Sequence, residues 1–346
     1  PAIGLQAVAL LILLYIVCAL GGIGSSHTSR GLYIAVGVAL TLIAALRPEG
    51  IDRDYAEYIS HFRNYDIIVM LEPTFKAIAW FVHRFLGANP TLLFAIYAAL
   101  GVGLKMVAIR ELSNMALLSV AIYISQFFIL HEMTQIRAGV ASGALLLAIK
   151  PLYDRNLWRF LFIVLCATAF HLSGIIILAL WFLSPTRRLK LYPIIIPAAI
   201  ALSILEVDIT GLIPIPYLSA KIELYQNIKE YTDSVHNHIN IFNAIYLVRL
   251  ALCYLLFWAA PTLAKQNRYY TLMLKIYTLS LAALPLFANL PVMAHRVYEL
   301  LGIVEIILIP TLVYIIRPKG VAYLTVFCYG FCTLMLSLFY NRLLVP

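Results

Sequence analysis

Long apolar runs alternate with short polar segments from one end of the chain to the other. Most runs are long enough to cross most or all of a bilayer as a helix, although the two halves of residues 158–186, about 13 residues each, are short for one. The pattern predicts about twelve membrane-crossing helices with both termini outside, over residues 3–20, 31–46, 91–108, 115–130, 136–149, 158–170, 174–186, 191–206, 241–260, 270–288, 297–316 and 321–339. Residues 73–86 lie between two segments placed outside, so this stretch is predicted to be a re-entrant or interfacial helix.

The composition leads to the same fold class. The chain has 346 residues, of which 63% are hydrophobic and 12% are charged, and its mean hydropathy is +0.93. A soluble domain of this size would not have enough polar surface to cover its core. We therefore predict an all-α polytopic integral membrane protein in which residues 1–346 form a single transmembrane domain. The five cysteines lie in apolar runs without metal-ligand spacing, so we interpret them as small buried hydrophobes.

Basic residues are concentrated in short segments that contain few acids, which is typical of the cytoplasmic side of a membrane. These residues are Arg30; Lys105 and Arg110; Lys150, Arg155 and Arg159; Arg187, Arg188 and Lys190; Lys265, Arg268 and Lys275; Arg317 and Lys319. Topology therefore explains the formal charge of +9, and a nucleic-acid partner is not expected. Basic segments at both ends of residues 158–186 predict two short crossings with His171 at the outer break. One long crossing with residues 187–190 outside is the alternative.

The polar stretch from His131 to Arg137 interrupts an otherwise apolar sequence. One interpretation is a solvated turn between two helices, although such a turn usually contains Gly, Pro or Asn. The other is a polar cavity, because charges inside a membrane are costly unless they are partnered or used. The predicted topology places residues 47–72, His171, 207–240 and 289–296 on the same outer face. We therefore expect the outer loops 47–72, 131–137 and 207–240 to form the active-site side.

The first outer loop is dense in acids and aromatic residues. Asp52 and Asp54 flank Arg53, and a neighbouring cation keeps a carboxylate ionised for use as a general base. Tyr55 and Tyr58 offer flat faces and hydroxyls suited to sugar rings. An ordinary solvated loop with a helix N-cap at Asp52 or Asp54 is the alternative.

Five charged residues in or beside predicted helices have two interpretations each. Arg137 follows the polar break, and Arg296 is predicted to open the helix at 297. Either arginine can snorkel to lipid headgroups, whereas convergence with Arg47 would form a forked clamp for phosphate oxygens. Arg249 and Glu305 lie near the middle of predicted helices, where they either pair structurally or line a cavity.

The loop 207–240 carries no recognisable metal site. His236 and His238 lack a third ligand, and Tyr217, Tyr225 and Tyr231 favour an amphipathic lid over a polar cavity. The sequence also contains no nucleotide-binding loop, no GxSxG elbow and no HExxH motif.

Several short motifs follow one another in a defined order. They are Arg47 with Gly50-x-Asp52-x-Asp54-Tyr55-x-x-Tyr58, Glu72-Pro73-x-Phe75, Gln135-Ile136-Arg137-x-Gly139, Phe170-His171-x-Ser173, and Ala294-His295-Arg296 with Tyr298. Together they resemble the EpsG-like branch of the Wzy polysaccharide repeat-unit polymerases, over about residues 40–310. The chain departs from the family at Arg137-Ala138, where Arg-Gln is frequent. Loop 207–240 matches no family pattern and is expected to carry acceptor specificity.

The resemblance implies an inverting glycosyltransferase of GT-C-like membrane architecture. It would lie in the bacterial inner membrane with its active side facing the periplasm. It would transfer a growing glycan (O-antigen or exopolysaccharide) from undecaprenyl diphosphate to a new lipid-linked repeat unit. No metal or other cofactor is expected. Besides the two lipid-linked substrates and the bilayer, a chain-length regulator and a flippase are candidate partners.

The resemblance also suggests roles for individual residues. Arg137 and Arg296 would hold the diphosphate with the help of Arg47, because charge develops on this leaving group. Asp52 or Asp54 would act as the base, with His171 as the second candidate. The remaining candidates would position sugars or the arginines; they are Tyr55, Tyr58, Glu72, Glu132, Gln135, Tyr298, Arg249 and Glu305.

Two other functions fit part of the pattern. A secondary transporter suits about twelve crossings, and Arg249 and Glu305 favour it, although no internal repeat is recognisable and the polar residues crowd one face. An O-antigen ligase would differ from the polymerase in its acceptor, lipid A core in place of a repeat unit. The motifs do not separate these two enzymes.

Overall fold

The computed structural model describes residues 2–23, 30–69, 71–186, 189–207, 240–341 and 343–344. Their fold is helical, and an isolated β-bridge joins Asp52 to Leu344. In chain order the helices are α1 (Ala2–Gly21), α2 (Arg30–Ala45), α3 (Tyr55–Arg63), α4 (Pro73–Phe85), α5 (Pro90–Leu112), α6 (Ala116–Thr134), α7 (Ile136–Tyr153), α8 (Leu157–Phe170), α9 (Leu172–Phe182), α10 (Leu189–Ile204), α11 (Ala244–Gln266), α12 (Tyr270–Leu286), α13 (Pro291–Tyr314) and α14 (Lys319–Tyr340).

Seven helices in the described part of the chain are long and apolar enough to cross a membrane, namely α1, α5, α6, α7, α11, α13 and α14. Five further apolar helices are shorter, namely α2, α8, α9, α10 and α12. The structure thereby confirms the predicted class, a polytopic membrane protein built from helices. Helices α6 and α13 form the centre, since 89% and 83% of their most apolar windows are buried. Helices α1, α11 and α14 are the least buried of the seven, with 28%, 28% and 33% of their most apolar windows buried, as expected of a lipid-facing periphery.

The turn between α6 and α7 is tighter than the predicted loop 131–137. Helix α6 continues as a π-helix from Ile124 to Thr134, and α7 begins at Ile136, so Gln135 alone joins them. A Cβ atom on Gly139 would overlap the backbone carbonyl of His131, so this reversal requires glycine. Most of the polar break is therefore helical, and His131 and Glu132 are buried.

The chain reverses at His171, as predicted. Helix α8 ends at Phe170 and α9 begins at Leu172. Gly174 permits the reversal, because a Cβ atom there would lie 2.5 Å from the Ala167 carbonyl carbon. Helix α9 returns to the start of α8, where Arg155 donates hydrogen bonds to the Trp181 and Leu183 carbonyls.

Several of the predicted cytoplasmic segments meet at one end of the bundle. Asn114 donates to the Gln266 carbonyl and Asn267 to the Leu112 carbonyl, each over 2.6 Å, and Lys150 pairs with Glu111.

Three assignments made from the sequence are wrong. Lys105 and Lys275 do not lie in loops but inside α5 and α12, and both are fully buried. The buried Glu132 carboxylate compensates the Lys105 ammonium group, so Lys105 does not mark a membrane surface. Lys275 donates to the carbonyl of Ser184, just beyond the end of α9. Arg296 does not open its helix, because α13 begins five residues earlier at Pro291, a residue well suited to the first helical position.

Helices α3 and α4 are short and lie outside the set of long apolar helices. The 13 residues of α4 span about 20 Å, less than the roughly 30 Å of a hydrocarbon core. Its buried face carries Phe75, Ala79 and Val82, whereas Trp80 and Phe81 are exposed. A helix too short to cross, with aromatic residues exposed, is typical of an interfacial position.

Candidate active site

Side chains from distant parts of the sequence meet at the end of the bundle where α7 starts. Arg137 in the first turn of α7 pairs with Glu72, the residue before α4. Arg296 of α13 reaches His171 at the α8–α9 reversal, and Arg47 contacts the end of α6. The Lys150–Glu111 pair marks the other end of α7, so this cluster lies opposite the predicted cytoplasmic end.

Arg137 is held in place but is not saturated with partners. Its Nη1 atom donates to Glu72 Oε2 over 2.5 Å. The side chains of Arg137 and Glu72 are 17% and 16% exposed. The guanidinium lies 5.5 Å from the centroid of the Tyr58 ring and 5.9 Å from that of Phe75. Its Nε atom has no hydrogen-bond partner among the described residues. Because the Arg137 side chain keeps part of its exposure, its guanidinium can still donate to an anionic ligand.

Arg47 is buried and fixes the first outer loop to α6. Its Nη1 donates to the carbonyls of Glu132, over 3.3 Å, and Met133, and lies 3.6 Å from Asp52 Oδ2. The guanidinium also lies 3.9 Å from the centroid of the Phe94 ring. Burial lowers the pKa of Arg47, and the Asp52 carboxylate opposes that shift. These contacts give Arg47 a positioning role, and a contact with diphosphate stays a prediction.

Asp52 and Asp54 have different environments. The side chain of Asp52 is fully buried, its Oδ1 accepts from the backbone N–H of Asp54 over 3.1 Å, and burial raises its pKa to about 6 against the effect of Arg47. Asp54 is half-buried at the N-cap position of α3, where its side chain makes no capping bond. Burial and the neighbouring Glu57 raise the pKa of Asp54, and Arg137 is the largest opposing influence. Asp54 is therefore the more accessible carboxylate.

His171 is oriented by the turn that it caps. The backbone N–H of Ser173 donates to His171 Nδ1 over 3.2 Å, and the Ser173 Oγ lies 2.6 Å from the same atom. With Nδ1 as acceptor the imidazole proton lies on Nε2, and with the proton on Nδ1 the Nε2 atom accepts from Arg296 Nη1 over 3.5 Å. In either tautomer Nε2 faces the Arg296 guanidinium, which makes it poorly suited to accept a proton from a substrate.

Tyr55 and Tyr58 pack with the aromatic residues of α4 and α5. Tyr55 stacks on Phe94 with ring centroids 5.2 Å apart, and it is half-buried. Tyr58 stacks on Phe75 at 6.3 Å and is buried. Tyr55 is therefore the more accessible of the two as a face for a sugar ring.

The carboxylate of Glu132 points away from the outer surface. Its Oε1 accepts from Lys105 Nζ over 2.5 Å and from the Tyr123 hydroxyl over 2.9 Å. Lys105 also donates to the Gly139 carbonyl over 2.6 Å. Glu132 thus acts on the site through its backbone carbonyl, which accepts from Arg47, and direct contact with sugar stays a prediction.

Arg249 and Glu305 pair with each other inside the bundle. Arg249 Nε lies 3.3 Å from Glu305 Oε2, and Arg249 also donates to the Tyr298 hydroxyl. The Tyr329 hydroxyl donates to Glu305 Oε1. The structure therefore shows the pairing that the sequence left as one of two interpretations, and it extends the pair to Tyr298 and Tyr329. Substrate binding by these residues stays a prediction.

Two parts of the predicted site need separate mention. Residues 208–239 of the predicted lid, including His236 and His238, lie outside the described residues. In the described part of the chain, no three His, Cys, Asp or Glu side chains come close enough to hold a metal ion.

The comparison with known proteins agrees with the motifs. A family model described as "EpsG family" matches residues 31–345, nearly the whole chain. The chain belongs to the EpsG family. This EpsG family member is similar to the amylovoran biosynthesis protein AmsC of Erwinia amylovora, with 23% identity over 291 residues that cover 78% of this chain and 75% of AmsC. No solved structure matches the chain significantly.

The structure adds one site residue to this EpsG family member that the sequence analysis missed. Glu299 lies one turn beyond Arg296 on α13, hydrogen-bonds to Gln135, and has an Oε2 atom without a partner among the described residues. An acid three residues after an arginine, within an apolar helix, was the available signal. Gln135 thus links the α6–α7 turn to α13.

Proposed function

We propose that the protein is an exopolysaccharide or O-antigen polymerase. It transfers a growing glycan from undecaprenyl diphosphate to the non-reducing end of a new lipid-linked repeat unit, with inversion. The observation that carries this proposal is the convergence of Arg137, Arg296, His171 and Asp54 at one end of a helical bundle in an EpsG family member. The similarity to a protein of amylovoran biosynthesis supports the polysaccharide product.

The diphosphate is bound by the two half-buried arginines. When the anomeric C–O bond breaks, the leaving diphosphate gains negative charge, and Arg137 and Arg296 neutralise it. Arg296, whose Nη1 lies 3.5 Å from His171 Nε2, donates to a diphosphate oxygen. Glu72 keeps the Arg137 guanidinium oriented through their 2.5 Å hydrogen bond.

Asp54 is the general base. The acceptor hydroxyl attacks the anomeric carbon, its proton passes to the Asp54 carboxylate, and the bond to the diphosphate breaks on the opposite face. Accessibility favours Asp54 over Asp52, and the contact of His171 Nε2 with the Arg296 guanidinium argues against His171. Asp52 positions Arg47 and the turn before α3. Tyr55, Gln135 and Glu299 bind sugar hydroxyls.

The finer architecture is part of the same proposal. The five shorter apolar helices also cross the membrane, which gives twelve crossings in a GT-C-like arrangement. The site faces the periplasm of a bacterial inner membrane, since basic loops gather at the opposite end. No metal takes part, because Arg137 and Arg296 supply the positive charge.

A secondary transporter is the second candidate, favoured by the buried Arg249–Glu305 pair. The deciding experiment incubates purified protein with lipid-diphosphate-linked repeat units and no nucleotide sugar, and resolves the products on a gel. A ladder that is lost in Arg296→Ala supports the polymerase. Substrate-dependent flux in proteoliposomes without a ladder supports the transporter. In a parallel incubation that offers lipid A core as the acceptor, a product formed only there identifies a ligase.

A further inference from the structure

An apolar cavity of about 380 Å³ lies between α10, α12 and α13. All of its lining residues are apolar, and small side chains create the space, among them Ala198, Ala199, Ala282 and Ala283. A volume in this range accommodates a small-molecule-sized segment. Ala198 is exposed, so the cavity opens on the side of α10 that faces away from the bundle. Ile194 and Ile204 of α10 are also exposed.

The cavity adjoins the arginine cluster. Val297 and Leu301 line it from α13, and Val297 directly follows Arg296. On α12 the lining residues extend from Leu279 to Leu286 near the C-terminal end of the helix, which the short segment before Pro291 connects to the start of α13. Along α13, the apolar space therefore begins one residue after a cation that is half-buried at the predicted outer surface.

We propose that this groove binds the isoprenoid chain of the lipid-linked donor, with its diphosphate on Arg296 and Arg137. This inference rests on the proposed function and adds the location of the lipid part of the substrate. Charge complementarity supports this occupant, because a polyprenyl diphosphate joins a long apolar chain to an anion that two arginines can bind. Binding the chain in a groove also fixes the anomeric carbon relative to Asp54.

The test uses full-length protein in nanodiscs and undecaprenyl diphosphate that carries a photoreactive group on its first isoprene units. Cross-linked peptides are identified by mass spectrometry. We expect cross-links in α10, α12 and α13, prevented by excess unlabelled undecaprenyl diphosphate but not by phosphatidylglycerol. Ala198→Phe should lower the yield about tenfold, because the ring occupies the groove. The matched control Ala201→Phe, also exposed on α10 but outside the lining, should leave the yield unchanged.

Cross-links elsewhere, equal competition by phosphatidylglycerol, or normal labelling of Ala198→Phe would overturn the inference. The readout requires no glycosyl transfer, so it is independent of the polymerase assay. Specific labelling with no polymer in that assay would leave the groove in place and refute the enzyme. Polymer formation without labelling of the groove would support the enzyme and refute the lipid-binding groove.

Discussion

The buried pair Lys105–Glu132 lies inside the bundle next to the candidate site. Removing the lysine should lower the stability of the protein by a predictable amount. Both side chains are essentially unexposed, and Lys105 Nζ lies 2.5 Å from Glu132 Oε1. In Lys105→Met the carboxylate would keep the Tyr123 hydroxyl at 2.9 Å but lose its counter-charge. Breaking a buried ion pair by removing one partner costs about 3–5 kcal/mol, so we expect the free energy of unfolding to fall by that amount.

The double variant separates charge from packing. In Lys105→Met/Glu132→Gln the uncompensated charge is gone, and replacing a buried pair by neutral groups is often close to neutral. We therefore expect the double variant to regain most of the stability lost in Lys105→Met. Activity should follow the same order, because the Glu132 carbonyl holds Arg47.

Unfolding can be followed in mixed micelles by titration with sodium dodecyl sulfate and a thiol-reactive dye. Cys18 and Cys253 are buried and become reactive only on unfolding. The half-buried Cys166 and the exposed Cys328 and Cys332 are first replaced by serine. Unchanged stability of Lys105→Met, or a double variant no more stable than the single one, would refute the assigned role of the pair.

Three further predictions concern the site and its scaffold. Activity should fall as the pH drops through about 6, because protonation of Asp52 releases its ion pair with Arg47. Initial rates of Asp52→Asn at pH 7.5 should be reduced relative to the native protein, and a native rate would contradict the role of this ion pair. Asp54→Asn should lose about 10²–10⁴ in rate at every pH, as measured by initial rates, and a near-normal rate would exclude it as base. Gly139→Ala should prevent folding, measured by size-exclusion chromatography, whereas Gly103→Ala, with open space around it, should fold normally.

Much of the architecture follows from apolar runs and charge distribution. The reversal at His171 was predictable because basic segments on both sides of residues 158–186 require an even number of crossings. The convergence of Arg137 with Glu72 followed from placing both on one face. These features depend on the preference of charges for water and on the length of each helix. Both can be read from the sequence alone.

Features that depend on side-chain contacts between distant segments of the chain could not be predicted in the same way. Lys105 looks like a loop residue in sequence, because its compensating carboxylate lies 27 positions away on another helix. The accessibility difference between Asp52 and Asp54 arises from the packing of Arg47 against Phe94 and α6. Glu299 escaped notice because its role depends on Gln135 across the bundle. Tertiary pairing determines all three.

The most direct test of the central claim measures undecaprenyl diphosphate released per glycosidic bond formed by the purified protein. We expect one undecaprenyl diphosphate released per glycosidic bond. Arg137→Lys should lose about 10²–10³ in rate, because lysine keeps the positive charge but not the forked pair of guanidinium donors. Arg84→Lys, at an exposed position on α4, is the matched control and should behave like the native protein. Polymer growth without release of the lipid diphosphate, or a normal rate for Arg137→Lys, would contradict the account.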